Sequence, residues 1–389
     1  MKRFLTALGV AASAGTLLAA ATGWSIARRV TASIGPRAFN LTIRGIEKHG
    51  EQLKLVFDRT SSTEASGIYN LWFERGGWAQ LSDKIESRGP DHIARIVTGR
   101  SDGLKPNDGD RVSWSGIYHA SPADAGLDHR DIVIKTPVGD MPAWRINGNT
   151  ATWAIHIHGL GSPRAGTLRG VQVASKLGYT SLVLSYRNDG EGPKVGNGRT
   201  TLGATEAEDV DAAIGYAIRR GAERIVLFGW SMGAAIALQL AHRPKYRGLI
   251  VGLVLDSPVL NWANVIEANC KRSGLPSSVG KLTLPWLTTT TLAQLTGLPS
   301  AIPLRGMNWI ERAHELTVPM LMLHGTKDDS VSIADARTLS QRRPELVTIE
   351  EFNAGHTLNW NVDRGEWMDT VSNWLFRLQN GQAYSPSTE

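Results

Sequence analysis

From about Asp131 onward, short apolar runs alternate with longer helix-like stretches. Runs of this kind at Trp153–Ile157, Ser181–Ser185, Ile225–Phe228, Gly252–Leu255, Met320–Leu323 and Val347–Glu350 read as buried strands. Helical segments such as Ala204–Arg220, Met232–His242 and Arg364–Leu378 separate them. Strands that are apolar along their whole length suit a sheet covered on both faces, and the alternation is that of βαβ units. The expected fold class is therefore α/β, with a mostly parallel twisted sheet and helices on both faces over 131–380. Ile132–Lys135 and Met141–Ile146 read as an antiparallel pair that opens it.

Within this region Gly229-Trp230-Ser231-Met232-Gly233 follows the strand Glu223–Phe228, and the helical Ala234–Ala241 follows at once. A sharp strand-to-helix turn lifts a serine hydroxyl above the sheet. Neighbouring chains then approach so closely that the residues two before and two after must be tiny, which Gly229 and Gly233 satisfy. The helix start also points free N–H groups toward developing negative charge. Ser231 is the candidate nucleophile of this elbow; the alternative is a Gly-rich turn with a capping serine.

A serine hydroxyl needs a base within hydrogen-bond reach, and the base needs an orienting acid. For this kind of elbow the acid and then the base follow in the chain. Pro319–Leu323 runs as a strand into His324-Gly-Thr-Lys-Asp328, which makes Asp328 the candidate acid. Asp329 and Asp256 are its rivals, and a solvated loop carboxylate is the alternative for each. His356, in Phe352-Asn-Ala-Gly-His356 after the last strand, is the candidate base. His156-Ile-His158-Gly-Leu160-Gly161 ends the strand from Trp153. The backbone N–H groups of Leu160 and Met232 are the candidate oxyanion hole. His156 and His158 alternate as metal ligands can, but a third ligand at suitable spacing is missing, so no metal is expected.

The residues upstream differ in texture. From about 38 to 130, Leu53–Phe57, Ile68–Phe73 and Arg111–Trp114 carry β-formers, and Asn107-Asp-Gly-Asp110 signals a turn. A small β-rich accessory module is expected there. Phe4 to Ile26 carries no charge and lies between Lys2-Arg3 and Arg28-Arg29. Its length suits an N-terminal membrane helix over 1–30, and hence a cell-membrane location. Ala19-Ala20-Ala21 also fits a signal cleavage site, which would give a secreted protein. Residues 257–317 are long for a connection and contain Leu282, Leu284, Trp286, Leu287, Leu292 and Leu295. They are expected to form helices, either as a cap over an acyl pocket or as peripheral packing.

The net charge of +6 is spread along the chain rather than massed, so a solvated basic surface is expected and no nucleic-acid partner. The single cysteine, Cys270, rules out an intramolecular disulfide and a Cys-rich metal site.

The set His158-Gly, Gly-Trp-Ser231-Met-Gly, His324-Gly-x-x-Asp328 and Gly-His356 resembles the α/β-hydrolase superfamily. Ser185-Tyr-Arg-Asn-Asp-Gly-Glu-Gly-Pro193 and Leu255-Asp-Ser-Pro-Val-Leu-Asn-Trp262 are similar to segments of its bacterial membrane-anchored members, in the branch with prolyl-oligopeptidase-like and serine-aminopeptidase-like enzymes. The pattern Asp328-Asp-Ser-Val331 is similar to the Asp-x-x-Val that is common in this fold. The oxyanion segment is His-Gly-Leu-Gly rather than the His-Gly-Gly-Gly of many lipases. The resemblance implies a serine hydrolase without a cofactor, acting on a small-molecule acyl substrate. A carboxylic ester is the first expectation; a peptidase of the same fold and a non-catalytic membrane-associated binding protein are the alternatives.

Overall fold

Two sheets organise the chain. Residues 17–32 and 35–381 are described in the structure, a computed structural model. The first sheet is antiparallel and takes seven strands: β1 (Leu41–Thr42), β2 (Gly45–His49), β3 (Gln52–Asp58), β4 (Tyr69–Phe73), β5 (Trp78–Ser87), β6 (His92–Arg100) and β7 (Arg111–Ser115). Their spatial order is β1-β7-β4-β5-β6-β3-β2. One face is apolar and packs around Ile43, Leu55, Phe57, Leu71, Leu81, Ile93 and Val112. The long β5–β6 hairpin is hard to read from sequence because Asp83, Lys84, Glu86 and Arg95 interrupt its apolar pattern. Arg95 is fully buried there, and donates to the carbonyls of Thr63, Ala65, Gly67 and Ser82. Burial pushes its guanidinium pKa down to about 10.

The second sheet holds β8 (Arg130–Thr136), β9 (Gly139–Ile146), β10 (Asn149–Ile157), β11 (Tyr179–Leu184), β12 (Arg224–Trp230), β13 (Ile250–Asp256), β14 (Met320–Gly325) and β15 (Val347–Phe352). The order is β15-β14-β13-β12-β10-β11-β9-β8. Neighbours from β11 to β15 run parallel, while β8–β9 and β9–β11 are antiparallel. Alternate residues of each strand serve opposite faces. Ile225 and Leu227 point toward α3 (Glu206–Ile218), α4 (Met232–Ala241) and α8 (Ile333–Arg342). Val226 and Phe228 join the cluster of α2 (Leu168–Lys176) and α10 (Arg364–Gln379), where Trp367, Val371 and Leu375 are buried. Between β13 and β14 lie α5 (Trp262–Arg272), α6 (Leu284–Thr288) and α7 (Thr290–Thr296); α9 (Asn359–Val362) follows β15.

The N-terminal segment corrects one expectation. Among the described residues no helix is long and apolar enough to cross a membrane. Residues 17–30 form helix α1, which lies on the protein. Ala27 is fully buried in the main core. Trp24 Nε1 donates to Leu295 O at 3.1 Å, Arg28 Nη1 donates to Thr296 O at 3.3 Å, and Arg199 Nη1 donates to Arg28 O at 2.7 Å. A methyl group on Gly23 would meet the Leu282 carbonyl and the Trp286 ring, so glycine is what lets α1 approach the turn that leads into α6. Small residues that read as a mildly apolar span are the ones that permit this close packing. The rest of the expected span, residues 4–16, lies outside the described residues.

Candidate active site

β12 ends at Trp230 and α4 begins at Met232, which leaves Ser231 alone at the turn with φ +52° and ψ −112°. A non-glycine residue held at positive φ costs about 1–3 kcal/mol and persists only where its surroundings fix it. Here Ser231 N donates to Asp256 O at 3.0 Å, and Val259 N donates to Ser231 O at 3.3 Å. A Cβ on Gly233 would lie 2.1 Å from Ile157 O, and one on Gly229 would lie 2.6 Å from Ala234 N. The spacing of the glycines is thus a consequence of the elbow's crowding.

The loops after β14 and β15 bring two more side chains to this serine. His356 Nε2 stands 3.0 Å from Ser231 Oγ, and His356 Nδ1 stands 2.7 Å from Asp328 Oδ2. Asp328 Oδ1 accepts N–H bonds from Ser330 at 3.0 Å and Val331 at 2.8 Å. Burial alone would raise the Asp328 pKa. The facing imidazoles of His324 and His356, with the Val331 amide, outweigh it and hold the carboxyl well below the usual range. The two rivals stand elsewhere. Asp329 has a side chain 70% exposed, facing Arg272. Asp256 is buried behind the elbow, where it accepts from Trp367 Nε1 and Asn359 Nδ2, each at 3.0 Å.

The loop after β10 lies against the elbow: a Cβ on Gly159 would touch Trp230 O and Ser231 Cβ. The Leu160 and Met232 amides have no acceptor among the described residues. His158 fixes this loop. Its ring stacks on Tyr186 with centroids 4.1 Å apart, and Nε2 stands 3.0 Å from Asp189 Oδ2. Asp189 in turn accepts from the amides of Tyr186, Glu191 and Gly192. His156 is buried in the sheet, 3.2 Å from Ser181 Oγ, and desolvation pushes its pKa down to about 3. Among the described residues no three His, Cys, Asp or Glu side chains group as a metal site. Cys270 is buried in α5.

A cavity of about 330 Å³ opens over Ser231 and His356. One wall is Trp114, Ser115, Gly116 and Ile117, at and just beyond the end of β7. No residue of 257–317 lines it. That segment instead packs under α1 and against α8, where Asn264 Nδ2 donates to Asp335. Of the two roles expected for 257–317, the packing one fits this arrangement, and at this cavity the accessory sheet supplies the wall. Sequence reasoning passed over this wall, and over Arg169 and Leu358, which also line the cavity. Single residues in an amphipathic helix or a short loop carry no local signal of such a position.

Residues 154–368 match the alpha/beta hydrolase family. The chain belongs to that family. Residues 42–115 match a domain of unknown function (DUF8805). No curated protein matches the chain. Among solved structures, the alpha/beta hydrolase chain is similar to the Pyrococcus furiosus esterase Pf2001. In one crystal form the identity is 21% over 66% of this chain and 95% of that one, with a TM-score of 0.52. A second form gives 22% identity, 66% and 94% coverage and a TM-score of 0.51. At this identity the likeness shows the fold. A putative lipase from Acinetobacter baumannii is 18% identical over 66% of this chain and 94% of its own, with a TM-score of 0.47. None of these matches singles out the prolyl-oligopeptidase-like branch.

Proposed function

We propose that the protein is a serine ester hydrolase that works through an acyl-enzyme. The observation that carries this reading is the run of contacts Ser231 Oγ, His356 Nε2, His356 Nδ1, Asp328 Oδ2, at 3.0 and 2.7 Å, beside a cavity.

Ser231 Oγ attacks the ester carbonyl carbon as His356 Nε2 takes the hydroxyl proton. Asp328 accepts the Nδ1–H bond, keeps the ring in the tautomer with Nε2 free, and stabilises the imidazolium. The carbonyl oxygen becomes an oxyanion, and the Leu160 and Met232 amides receive it. One such donor contributes about 3–4 kcal/mol to the transition state. The tetrahedral intermediate collapses as His356 returns the proton to the leaving alkoxide, which departs as the alcohol. Water then repeats the sequence on the acyl-enzyme, and releases the acid and Ser231.

Ester is preferred to peptide because, among the described residues, no carboxylate lines the cavity to receive a peptide amine. The volume suits a small acyl compound, near the lower end of ligand pockets. A fluorophosphonate probe and 4-nitrophenyl butyrate test the reading. Wild type labels and turns over the ester, and Ser231→Ala does neither. A wild type that stays unlabelled, or a Ser231→Ala variant that still labels, removes it.

A further inference from the structure

Arg169 sits in the first turn of α2 and is 8% exposed, yet it lines the cavity over Ser231. Its Nη1 donates to Thr357 O at 2.9 Å and to Asn361 Oδ1 at 3.1 Å, both uncharged acceptors. Its Nε is buried without a partner, and among the described residues its side-chain hydrogen bonds run through Nη1 alone. The guanidinium also lies 5.7 Å from the centre of the Trp230 ring. No ion pair among the described residues involves it. The buried carboxylate that influences it from a distance, Asp256, is occupied by Trp367 and Asn359.

A buried cation without a counter-ion is costly, because little water remains to solvate it. Desolvation accordingly lowers the Arg169 pKa. Two neutral carbonyl acceptors give partial compensation only. The loop bonds to Thr357 and Asn361 could be made by an uncharged donor, so they do not account for a full positive charge at this place. An anion entering the cavity would complete the site, since a charge-assisted bond to a guanidinium in a low-dielectric site is among the stronger polar contacts.

We propose that the substrate carries a carboxylate besides its ester, and that Arg169 receives it. This rests on the ester-hydrolase reading and narrows it to half-esters of dicarboxylic acids and related singly charged esters. One guanidinium balances one negative charge; a phosphate monoester, with about two charges, would leave one uncompensated in the cavity. A carboxylate is also smaller than a sulfonate or a phosphodiester, in a cavity of about 330 Å³ that must hold the ester as well. Among the described residues, Arg169 is the lining residue with an ionisable side chain apart from the two imidazoles, so no carboxylate on the cavity wall competes for it.

The test compares the 4-nitrophenyl half-ester of adipic acid with 4-nitrophenyl hexanoate, which has the same chain length and no charge. Wild type favours the half-ester in kcat/KM by at least about tenfold, the scale of one charge-assisted contact. Arg169→Met brings that ratio to about one, and Arg169→Lys keeps part of it. A purely structural Arg169 lowers both rates together and leaves the ratio where it was. A wild-type ratio of one or less, or a ratio that Arg169→Met does not move, overturns the proposal. Hexanoate turnover that depends on Ser231 reports on the ester-hydrolase reading separately. Binding to the Ser231→Ala protein by calorimetry keeps the question open to measurement even without turnover: monomethyl adipate binds at least about tenfold tighter than methyl hexanoate. Equal binding overturns the proposal, and so does diethyl phosphate binding more tightly than monomethyl adipate, which would assign the site to a phosphodiester.

Discussion

Asn361 Nδ2 donates to the carbonyl of Gly116 at 2.9 Å and so ties the segment after His356 to the end of the seven-stranded sheet. The same nitrogen donates to Ile68 O at 2.7 Å, and Oδ1 accepts from Arg169 Nη1 at 3.1 Å. Asn361 is buried, so Asn361→Ala strands two carbonyls and one guanidinium N–H. Leaving buried groups unpaired costs about 1–3 kcal/mol each before relaxation. We expect a loss of about 2–4 kcal/mol in urea unfolding. We also expect about a tenfold fall in ester turnover, because Arg169 braces Thr357, the residue after His356. Unchanged unfolding midpoint and turnover would show that the two sheets are not coupled through this side chain.

The choice among three aspartates can be settled by substitution. Asp328→Asn leaves the shape but removes the charge that fixes the His356 tautomer, and turnover should fall about 10³- to 10⁴-fold. Asp329→Asn alters an exposed carboxylate and should stay within about twofold of wild type. Asp256→Asn removes a buried acceptor of Trp367 and Asn359. It should cost stability, with less effect on turnover than Asp328→Asn. Initial rates of 4-nitrophenyl butyrate hydrolysis rank the three.

Stability should follow the Asp328 carboxyl with pH in one direction. Its folded pKa lies below the unfolded value of about 3.9. Between the two values the unfolded chain binds more protons, so folding loses free energy as pH falls through that window. The groups that face it are His324 and His356. The stability difference between wild type and Asp328→Asn should be full above about pH 5 and shrink steadily below about pH 4. Urea midpoints of both proteins from pH 3 to pH 7 give the comparison, and a difference that does not vary with pH would contradict it.

Much of the fold can be read from the sequence because buried parallel strands are continuous apolar runs, as Ile225–Phe228 and Met320–Leu323 are. The meeting of Ser231, Asp328 and His356 is legible for a different reason: the elbow must have glycine at two fixed places, and the other loops follow in a fixed order. Helix α1 is not legible, since Ala27 and Gly23 suit a weak membrane segment and a tight protein contact equally well. Arg169 is invisible as a site residue, because an arginine in an amphipathic helix reads as solvated. Only the folded chain lays Trp230, Thr357 and Asn361 over it. The wall at Trp114–Ile117 is separated from Ser231 by more than a hundred residues, and no local pattern links them.

That wall yields the last prediction. Ile117 and Leu358 line the cavity, whereas residues 257–317 do not. Acyl-chain preference should therefore respond to the accessory sheet rather than to the helices between β13 and β14. Ile117→Trp fills part of a cavity of about 330 Å³ and should shorten the longest 4-nitrophenyl ester accepted. Ile117→Ala should extend it by one or two methylenes, each contributing about 0.8 kcal/mol when buried. Leu282→Ser, on the partly exposed side of the 257–317 segment, should leave the chain-length profile where wild type has it. The measurement is kcat/KM across esters from acetate to decanoate for all four proteins. If Leu282→Ser shifts the optimum and the Ile117 variants do not, the acyl chain binds under the helices and the cavity over Ser231 holds only the reacting carbonyl.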